Sequence, residues 1–365
     1  MIRRSIALLM VVLAGCAQPT TALRATSGPT PRPGSTPPAL ASPAAPPLAA
    51  VDFSCRLPVL HGVTSGAPVS MRAGFVRFPR ALMTDDAEGT ITSLEPPPYD
   101  LDRPAFYDAA VGRWLPVGPL QSSPDGLQYA RLTGGLDTGT PAVVHVVDVR
   151  SGSERTATLD GVPTGYPAPN SIADFDGRTA YVSWVGGIGS IVPGFGIGLW
   201  AADTVSGHTR QLMSGGWVEA VRSGSVWVGD AEQAVYEATT YHAIRRVDLA
   251  TGARQRWFYQ PDADVWLLGF DGHGDPVVAM RPASAAGALG RVEVRVVSQP
   301  GSEGVTITSD GESSMGRITP LQGDGDRIWF GGTHGIYLWT QSAGLREVFR
   351  IDGEQGLVEP AGVCA

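Results

Sequence analysis

The sequence contains no lysine, so its 27 Lys-or-Arg positions are all arginine. This absence excludes Schiff-base chemistry and the lysine of a phosphate-binding loop. Only three cysteines occur in 365 residues, and no stretch combines a sustained helical period of apolar residues with helix caps. The formal net charge is −8, and an acidic surface argues against nucleic acid as a partner.

The first sixteen residues have the pattern of a bacterial export signal. Arg3 and Arg4 precede an apolar core over residues 6–13, which is too short for a permanent membrane-spanning helix. Leu13-Ala-Gly-Cys16 then resembles the lipobox of bacterial lipoproteins. The resemblance implies that Cys16 is lipidated and that the preceding peptide is removed. The alternative is an ordinary secretory signal that happens to contain a cysteine.

Residues 17–50 consist almost entirely of Pro, Ala, Ser, Thr and Gly and contain no acidic residue. Such a segment cannot bury a core and favours extended polyproline II structure. We therefore predict a disordered tether over 17–50 and a folded domain over 51–365. The localisation that follows is a lipid-anchored position at the cell membrane or outer membrane, facing outside the cytoplasm.

Two cysteines remain after Cys16 is assigned to lipid. Cys55 opens the predicted domain and Cys364 lies next to its last residue. Two thiols in an exported domain are expected to pair, although two free buried thiols are the alternative. A bridge between them would join the two ends of the domain.

A tight-turn pattern, Asp-x-x-x-Gly between two strands, returns along the chain at intervals of roughly 40–55 residues, a period typical of β-propellers. The pattern predicts an all-β, six-bladed β-propeller with four-stranded antiparallel blades. A seventh blade is the alternative, because residues 56–61 and 357–363 are also strand-like. The regular copies end at Gly112, Gly152, Gly207 and Gly252, and looser copies end at Gly301 and Gly344.

The predicted strands of the fourth unit are residues 217–222, 225–229, 242–249 and 254–259. In the first unit the second, third and fourth strands are placed at 74–79, 105–109 and 113–117. Several strands are apolar almost throughout, as expected for blades that stack face to face. Tryptophans such as Trp227, Trp257 and Trp329 are accordingly interpreted as packing between blades.

Three single repeats resemble known propeller families. Ser123-Pro-Asp-Gly126, followed by Leu-Gln-Tyr-Ala, resembles the repeat of TolB-like propellers, and Arg327-Ile-Trp-Phe-Gly-Gly332 resembles sensor-type bacterial repeats. Val247-Asp-Leu-Ala-Thr-Gly252 looks like a repeat of quinoprotein-type propellers. These resemblances point to different families, so they imply the fold and no particular activity. The whole chain is most similar to bacterial lipoprotein propellers.

The sequence predicts no catalytic, metal or cofactor site. Asp271-Gly-His-Gly-Asp275 and Gly323-Asp-Gly-Asp326 contain oxygen ligands suited to calcium, but they lack the following bidentate acid, and tight turns require the same residues. The six histidines show no metal-ligand spacing. No Gly-x-Ser-x-Gly motif occurs.

Loop lengths suggest where a partner binds. The connections between second and third strands are long, and in a propeller they all emerge on one face, where loops over a rigid scaffold commonly carry binding. Neutral drift in loop length is the alternative. Residues of the segments 80–104 and 230–241 are the candidate binding-face residues, namely Asp85, Asp86, Glu88, Tyr236 and Tyr241.

We therefore expect a membrane-anchored extracytoplasmic lipoprotein whose propeller is a non-catalytic binding or scaffolding module for a cell-envelope protein or a glycan. One alternative is a carbohydrate-active or lactone-type hydrolase with acids gathered at the channel mouth. Another is the ligand-sensing domain of an envelope signalling system that would act through a separate transducer.

Overall fold

A computed structural model describes residues 47–63, 69–93, 106–134, 141–160, 169–186, 195–230, 241–283, 292–311, 325–332, 335–351 and 357–365. Residues Pro47–Ala365 form one compact unit. The one helix whose full extent lies within the described ranges is a single 3-10 turn at Pro119–Gln121. Over these same ranges no helix is long and apolar enough to cross a membrane.

Six sheets of three or four strands form the blades of a β-propeller, and all of their strand pairs are antiparallel. The predicted fold class, an all-β six-bladed propeller, is confirmed. Blade 1 contains β1 (Cys55–Val63), β2 (Val69–Phe78), β3 (Leu82–Ser93) and β24 (Leu357–Pro360). Blade 2 contains β6 (Gln128–Thr133), β7 (Val143–Asp148) and β8 (Glu154–Thr158).

Blades 3 and 4 each show four strands. Blade 3 consists of β9 (Pro169–Phe175), β10 (Thr179–Gly186), β11 (Phe195–Asp203) and β12 (Thr209–Ser214). Blade 4 consists of β13 (Trp217–Arg222), β14 (Ser225–Asp230), β15 (Ala243–Asp248) and β16 (Arg254–Tyr259).

Blade 5 also shows four strands, and blade 6 shows three within the described residues. Blade 5 consists of β17 (Ala263–Phe270), β18 (Pro276–Pro282), β19 (Val292–Val296) and β20 (Val305–Gly311). Blade 6 consists of β21 (Arg327–Gly331), β22 (Gly335–Thr340) and β23 (Gly344–Arg350).

The first unit differs from the prediction. Residues 74–79 belong to β2, which pairs with β1 on one side and β3 on the other. The segments predicted to complete its blade instead form a separate two-stranded hairpin, β4 (Phe106–Asp108) and β5 (Arg113–Leu115). The strand β3 was missed because Asp, Glu and Gly, which are depleted in strands, interrupt its apolar residues.

The two ends of the domain meet in blade 1. Strand β24 pairs with β1, with Val59 opposite Pro360 and Gly62 opposite Leu357. The two segments that suggested a seventh blade are therefore neighbours in one sheet. A disulfide joins Cys55 to Cys364, with 5.5 Å between their Cα atoms, as predicted.

The core lies between the faces of neighbouring blades. Trp227 of blade 4, for example, packs edge-on against Trp257 at 5.0 Å and against Phe270 of blade 5 at 5.4 Å between ring centroids. Trp227, Trp257 and Trp329 are all buried, so their interpretation as packing residues is confirmed. Burial on both faces explains why the middle strands show no alternation of polar and apolar residues.

The repeated turn motif has one geometry in its regular copies. In each, the glycine N–H donates to the carbonyl of the aspartate four residues earlier, at 2.8–2.9 Å. The glycine φ lies between 66° and 76°, a left-handed conformation that costs glycine little. The looser copy at Gly301 differs, because its N–H donates to the carbonyl of Trp257 in blade 4 at 2.8 Å.

Candidate functional site

The three acids predicted to lie in a binding loop are in strand β3. Asp85 contacts His61, with 3.3 Å between Oδ1 and Nε2. The carboxylate of Asp86 accepts a hydrogen bond of 3.1 Å from the indole N–H of Trp114. Their placement in a loop is wrong, while a role in binding stays a prediction.

Glu88 and Asp86 attach the β4–β5 hairpin to blade 1. Arg113 Nε lies 3.7 Å from Glu88 Oε1, next to the Trp114–Asp86 hydrogen bond. The ring of Trp114 also packs against Phe75 of β2 at 5.6 Å between centroids. These contacts give the acidic segment a structural role that the sequence did not reveal.

Tyr236 lies outside the described residues, whereas Tyr241 is placed just before β15. Tyr241 connects blade 4 to blade 5 through its backbone. Its N–H donates to Asp264 Oδ1 at 3.3 Å, and its carbonyl accepts from the N–H of Val265 at 2.6 Å. Its ring lies 6.0 Å from that of Trp217 between centroids, tilted by 45°.

Glu219, which is not among the residues predicted from the sequence, lies beside Tyr241. It is an extra residue in β13, because Val218 and Ala220 pair with consecutive residues of β14 and leave Glu219 without a partner. Such β-bulges redirect a side chain and are frequent near functional sites. At Gly229, a Cβ would lie 3.1 Å from the Tyr241 ring and 3.5 Å from Glu219 Oε1. Glycine thus lets both groups approach the strand.

The environment of Glu219 favours its neutral form. Burial raises the pKa of its carboxyl to about 8, and the nearby charge of Asp264 acts in the same direction. Over the described ranges no hydrogen bond or ion pair reaches this carboxyl. Burial, followed by the charges of Glu219 and Asp264, likewise raises the pKa of Tyr241 to about 12.

Asp264, in contrast, has a cationic partner. Arg281 Nη2 lies 3.0 Å from Asp264 Oδ2, and the guanidinium lies 5.6 Å from the centroid of the Trp266 ring. We call Trp217, Glu219, Tyr241, Asp264, Trp266 and Arg281 the blade 4–5 cluster, and all six residues are partly exposed. The cluster combines aromatic rings, a neutral acid and an ion pair at one end of two blades.

A second concave surface lies on the other side of blade 4. It is a groove of about 280 Å³ whose lining includes Tyr181, His208 and Arg210 of blade 3 and Leu249 of blade 4. Part of its polar lining is already engaged, because His208 Nδ1 contacts Asp160 Oδ2 at 3.2 Å. The blade 4–5 cluster is the better candidate site because the Glu219 carboxyl has no hydrogen-bond or ion-pair partner among the described residues.

Within the described ranges, no group of three or more His, Cys, Asp or Glu residues is arranged to hold a metal ion. The absence of a metal, a cofactor and catalytic residues stays a prediction. The blade 4–5 cluster contains one neutral carboxyl and one arginine-paired carboxyl, so it can offer both a hydrogen-bond donor and acceptors to a ligand.

No protein-family model and no curated protein matches the chain. Among solved structures, TolB from Acinetobacter baumannii is similar at 12% identity and a TM-score of 0.46, over 86% of this chain and 68% of that one. Oligogalacturonate lyase from Vibrio parahaemolyticus is similar at 9% identity and a TM-score of 0.45, over 82% of each chain.

The acylaminoacyl peptidase of Pyrococcus horikoshii is similar at 13% identity and a TM-score of 0.45. The match covers 81% of this chain and 46% of the peptidase chain, so this chain spans less than half of the peptidase. Scores at this level do not bear on activity. The propeller assignment rests on the sheets and their strand pairing.

Proposed function

We propose that this chain is a lipid-anchored module outside the cytoplasm whose propeller binds a protein or glycan partner at the blade 4–5 cluster. The observation that carries the proposal is the combination of partly exposed Trp217 and Tyr241 with the neutral Glu219 and the Asp264–Arg281 pair. Tryptophan, tyrosine and arginine dominate binding energy at protein interfaces. Aromatic rings with a few convergent polar groups are equally typical of small-molecule sites.

The position of the cluster supports the same proposal. Strand β14 ends at Asp230 and β18 ends at Pro282, so two of the long connections predicted to form the binding face leave the blades at this end. Loops positioned by a rigid scaffold commonly carry binding.

Anchoring through Cys16 is supported by the lipobox resemblance and by the Cys55–Cys364 disulfide, since disulfides persist in oxidising compartments. The test is mass spectrometry of the full chain purified from bacterial membranes. We expect an acylated N-terminal cysteine in the wild type and none in Cys16→Ser. An unmodified wild-type Cys16 would overturn the anchoring part of the proposal.

Binding is tested with the full chain in detergent, measured against immobilised glycans and peptidoglycan sacculi and against candidate envelope proteins. We expect Trp217→Ala and Tyr241→Ala each to weaken the strongest interaction at least tenfold. Tyr181→Ala, which removes an aromatic ring from the groove of blade 3, is the matched control. If Tyr181→Ala weakens binding while the other two variants do not, the site has been assigned to the wrong surface.

A hydrolase is the second candidate, and one observation favours it. Burial raises the pKa of Glu219 to about 8, which favours its neutral form at pH 7, whereas Asp264 is paired with Arg281. Two carboxyl groups in different environments are the usual pattern of general acid–base catalysis on glycosides. A panel of chromogenic glycosides and lactones tests this candidate. Turnover that is lost in both Glu219→Gln and Asp264→Asn would favour the hydrolase over the binding module.

A further inference from the structure

The position of Glu219 does not require an acid. In blades 3, 4 and 5 the first strand has a bulge residue with no partner on the second strand two or three pairs from the turn that joins them, and these residues are Ala173, Glu219 and Leu268. Ala173 and Leu268 are buried at 5% and 3% exposure and belong to the hydrophobic core. The propeller therefore accepts an apolar side chain at this position, which we call the bulge slot.

Within the described residues, no cationic side chain of the protein pairs with Glu219, the acid in the bulge slot of blade 4. Arg281 of blade 5 is paired with Asp264. Removing a carboxyl group from water without a partner is costly, and a cation of the right size would offset that cost. The chain contains no lysine, so it has no side-chain ammonium of its own to offer.

The aromatic rings next to the slot suit the same kind of ligand. Trp217 and Tyr241 lie 6.0 Å apart between centroids at a tilt of 45°, and the Tyr241 ring reaches the strand beside Glu219 through the space above Gly229. Ammonium groups are attracted to the faces of tryptophan and tyrosine. The Glu219 carboxyl and the Tyr241 ring meet at Gly229, and Trp217 contacts that ring, so the site offers charge and cation–π contact together.

We propose that the Glu219 slot binds the ammonium group of a primary amine carried by the ligand. This inference rests on the proposed binding function and narrows it to one chemical class. An ammonium group reaches the slot either as the lysine side chain of a protein or as the amine of an amino sugar. Both sources present the same charge to Glu219.

Two pairs of probes distinguish the sources and isolate the charge. Nα-acetyl-lysine methylamide is compared with its Nε-acetylated form, and glucosamine is compared with N-acetylglucosamine. The full chain in detergent is titrated with each probe by calorimetry. We expect the charged member of one pair to bind at least tenfold more tightly than its neutral partner. The pair that shows this difference identifies the source.

The affinity for the charged probe is expected to depend on pH. Because the pKa of Glu219 is raised to about 8, the carboxylate that attracts an ammonium is scarce at pH 6. For the lysine probe, whose ammonium stays charged above pH 8, affinity should rise about tenfold per pH unit below 8 and level off above it, with a proton released from Glu219 on binding. For glucosamine, whose amine itself loses its proton near pH 8, affinity should pass through a maximum instead. The titratable and charged groups that the structure ties to Glu219 are Asp264 and Tyr241, and Arg281 is the partner of Asp264. Strand β9 of blade 3, which also packs against β13, carries Asp174.

Two variants separate the slot from the rest of the cluster. Glu219→Gln removes the charge, and Glu219→Leu places in the slot the residue type that blade 5 already accommodates as Leu268, so it is expected to fold. Both should lose the preference for the charged probe and the pH dependence. Glu303→Gln, an exposed acid ahead of β20, is the matched control and should retain both.

The outcomes distinguish this inference from the binding function on which it rests. If the chain binds a partner through Trp217 and Tyr241, but charged and neutral probes bind alike and Glu219→Gln changes nothing, the ammonium assignment is wrong and the binding function stands. If Trp217→Ala and Tyr241→Ala leave all binding unchanged, the proposed function fails as well.

Discussion

At the scale of single residues, one aspartate organises each regular turn. Asp148 Oδ1 accepts hydrogen bonds from the N–H groups of Arg150 and Ser151, at 3.1 and 2.8 Å, and from the Ser151 hydroxyl at 2.8 Å. Asp203 and Asp248 repeat this arrangement. These bonds lower the pKa of all three carboxyls, because they stabilise the ionised form.

Asp148→Ala should lower the melting temperature of the full chain by about 2–4 °C at pH 7. The pKa of Asp148 is lowered in the fold, so its contribution is present above its ordinary pKa and is lost as the pH falls below that value. The difference between wild type and variant should therefore shrink in acid. Thermal unfolding followed by circular dichroism measures it, with Asp262→Ala, an exposed acid outside these turns, as the control. A constant difference down to pH 2 would contradict the explanation.

Glu219 has the opposite dependence on pH. Its folded pKa of about 8 lies above its ordinary value of 4.5, so between these values the folded state retains a proton that the unfolded chain releases. Stability from this group is present below pH 4.5 and is lost as the pH rises towards 8. Asp174, whose pKa burial raises to about 6, acts in the same direction.

Ionisation of Glu219 should lower the free energy of unfolding by on the order of a few kcal/mol at pH 8, and Glu219→Leu should remove much of this loss. Urea unfolding of the full chain at pH 5 and pH 8 measures the effect, since it gives the free energy of unfolding at each pH. We expect the wild type to lose stability over this interval and the variant to lose less, while Glu303→Leu behaves as the wild type. Equal losses in all three chains would refute the account of Glu219.

At the scale of elements, sequence pattern located the strands that have regular turns and ordinary strand composition. The predicted limits 217–222 and 254–259 coincide with β13 and β16. Strand β3 was missed because its acids are paired with His61, Arg113 and Trp114 from other elements, and such tertiary contacts leave no local pattern. Glu219 was missed for a related reason, since the bulge becomes visible only in the pairing of β13 with β14.

The β4–β5 hairpin depends on the absence of a side chain at Gly89 in β3. A Cβ there would lie 2.4 Å from Cδ2 of Trp114, so the indole ring would have to move away from Phe75 and Asp86. Gly89→Ala should therefore increase hydrogen exchange of residues 106–115 at least tenfold relative to blade 4, because the hairpin would open more often.

Gly118→Ala is the control for this change. The nearest heavy atom to a Cβ at Gly118 is 3.9 Å away, so the added methyl group is accommodated and exchange of the hairpin should stay as in the wild type. Unchanged exchange in Gly89→Ala would show that the Trp114 contacts do not hold the hairpin.

At the scale of the whole molecule, two features hold the ring closed. Strand β24 pairs with β1, and beyond it the N–H of Arg56 donates to the carbonyl of Ala365 at 2.8 Å. The Cys55–Cys364 disulfide spans 309 residues of sequence. The period of the turn motif and the terminal positions of the two cysteines predicted this closure. The order of strands within blade 1 could not be predicted from the sequence, because pairing between distant segments leaves no local sequence pattern.

Removing the disulfide should lower the free energy of unfolding by about 2–5 kcal/mol, since the unfolded chain would lose a cross-link that closes a very long loop. A Cys55→Ser, Cys364→Ser double variant of the full chain, unfolded in urea, measures the loss. Wild type treated with reductant should match the variant, and Cys16→Ser without reductant should match the oxidised wild type. Identical midpoints for the oxidised wild type and the double variant would contradict the prediction.

Strand β24, which completes blade 1, follows the strands of all the other blades in the chain. Until β24 has joined β1, a growing chain can form blades 2 to 5 from neighbouring segments while the circle remains an open arc. Final assembly then has to wait for a contact between segments about 300 residues apart, which is a slow kind of step. For a chain exported as we propose, β24 would pair with β1 and close the ring only after the polypeptide has passed through the membrane.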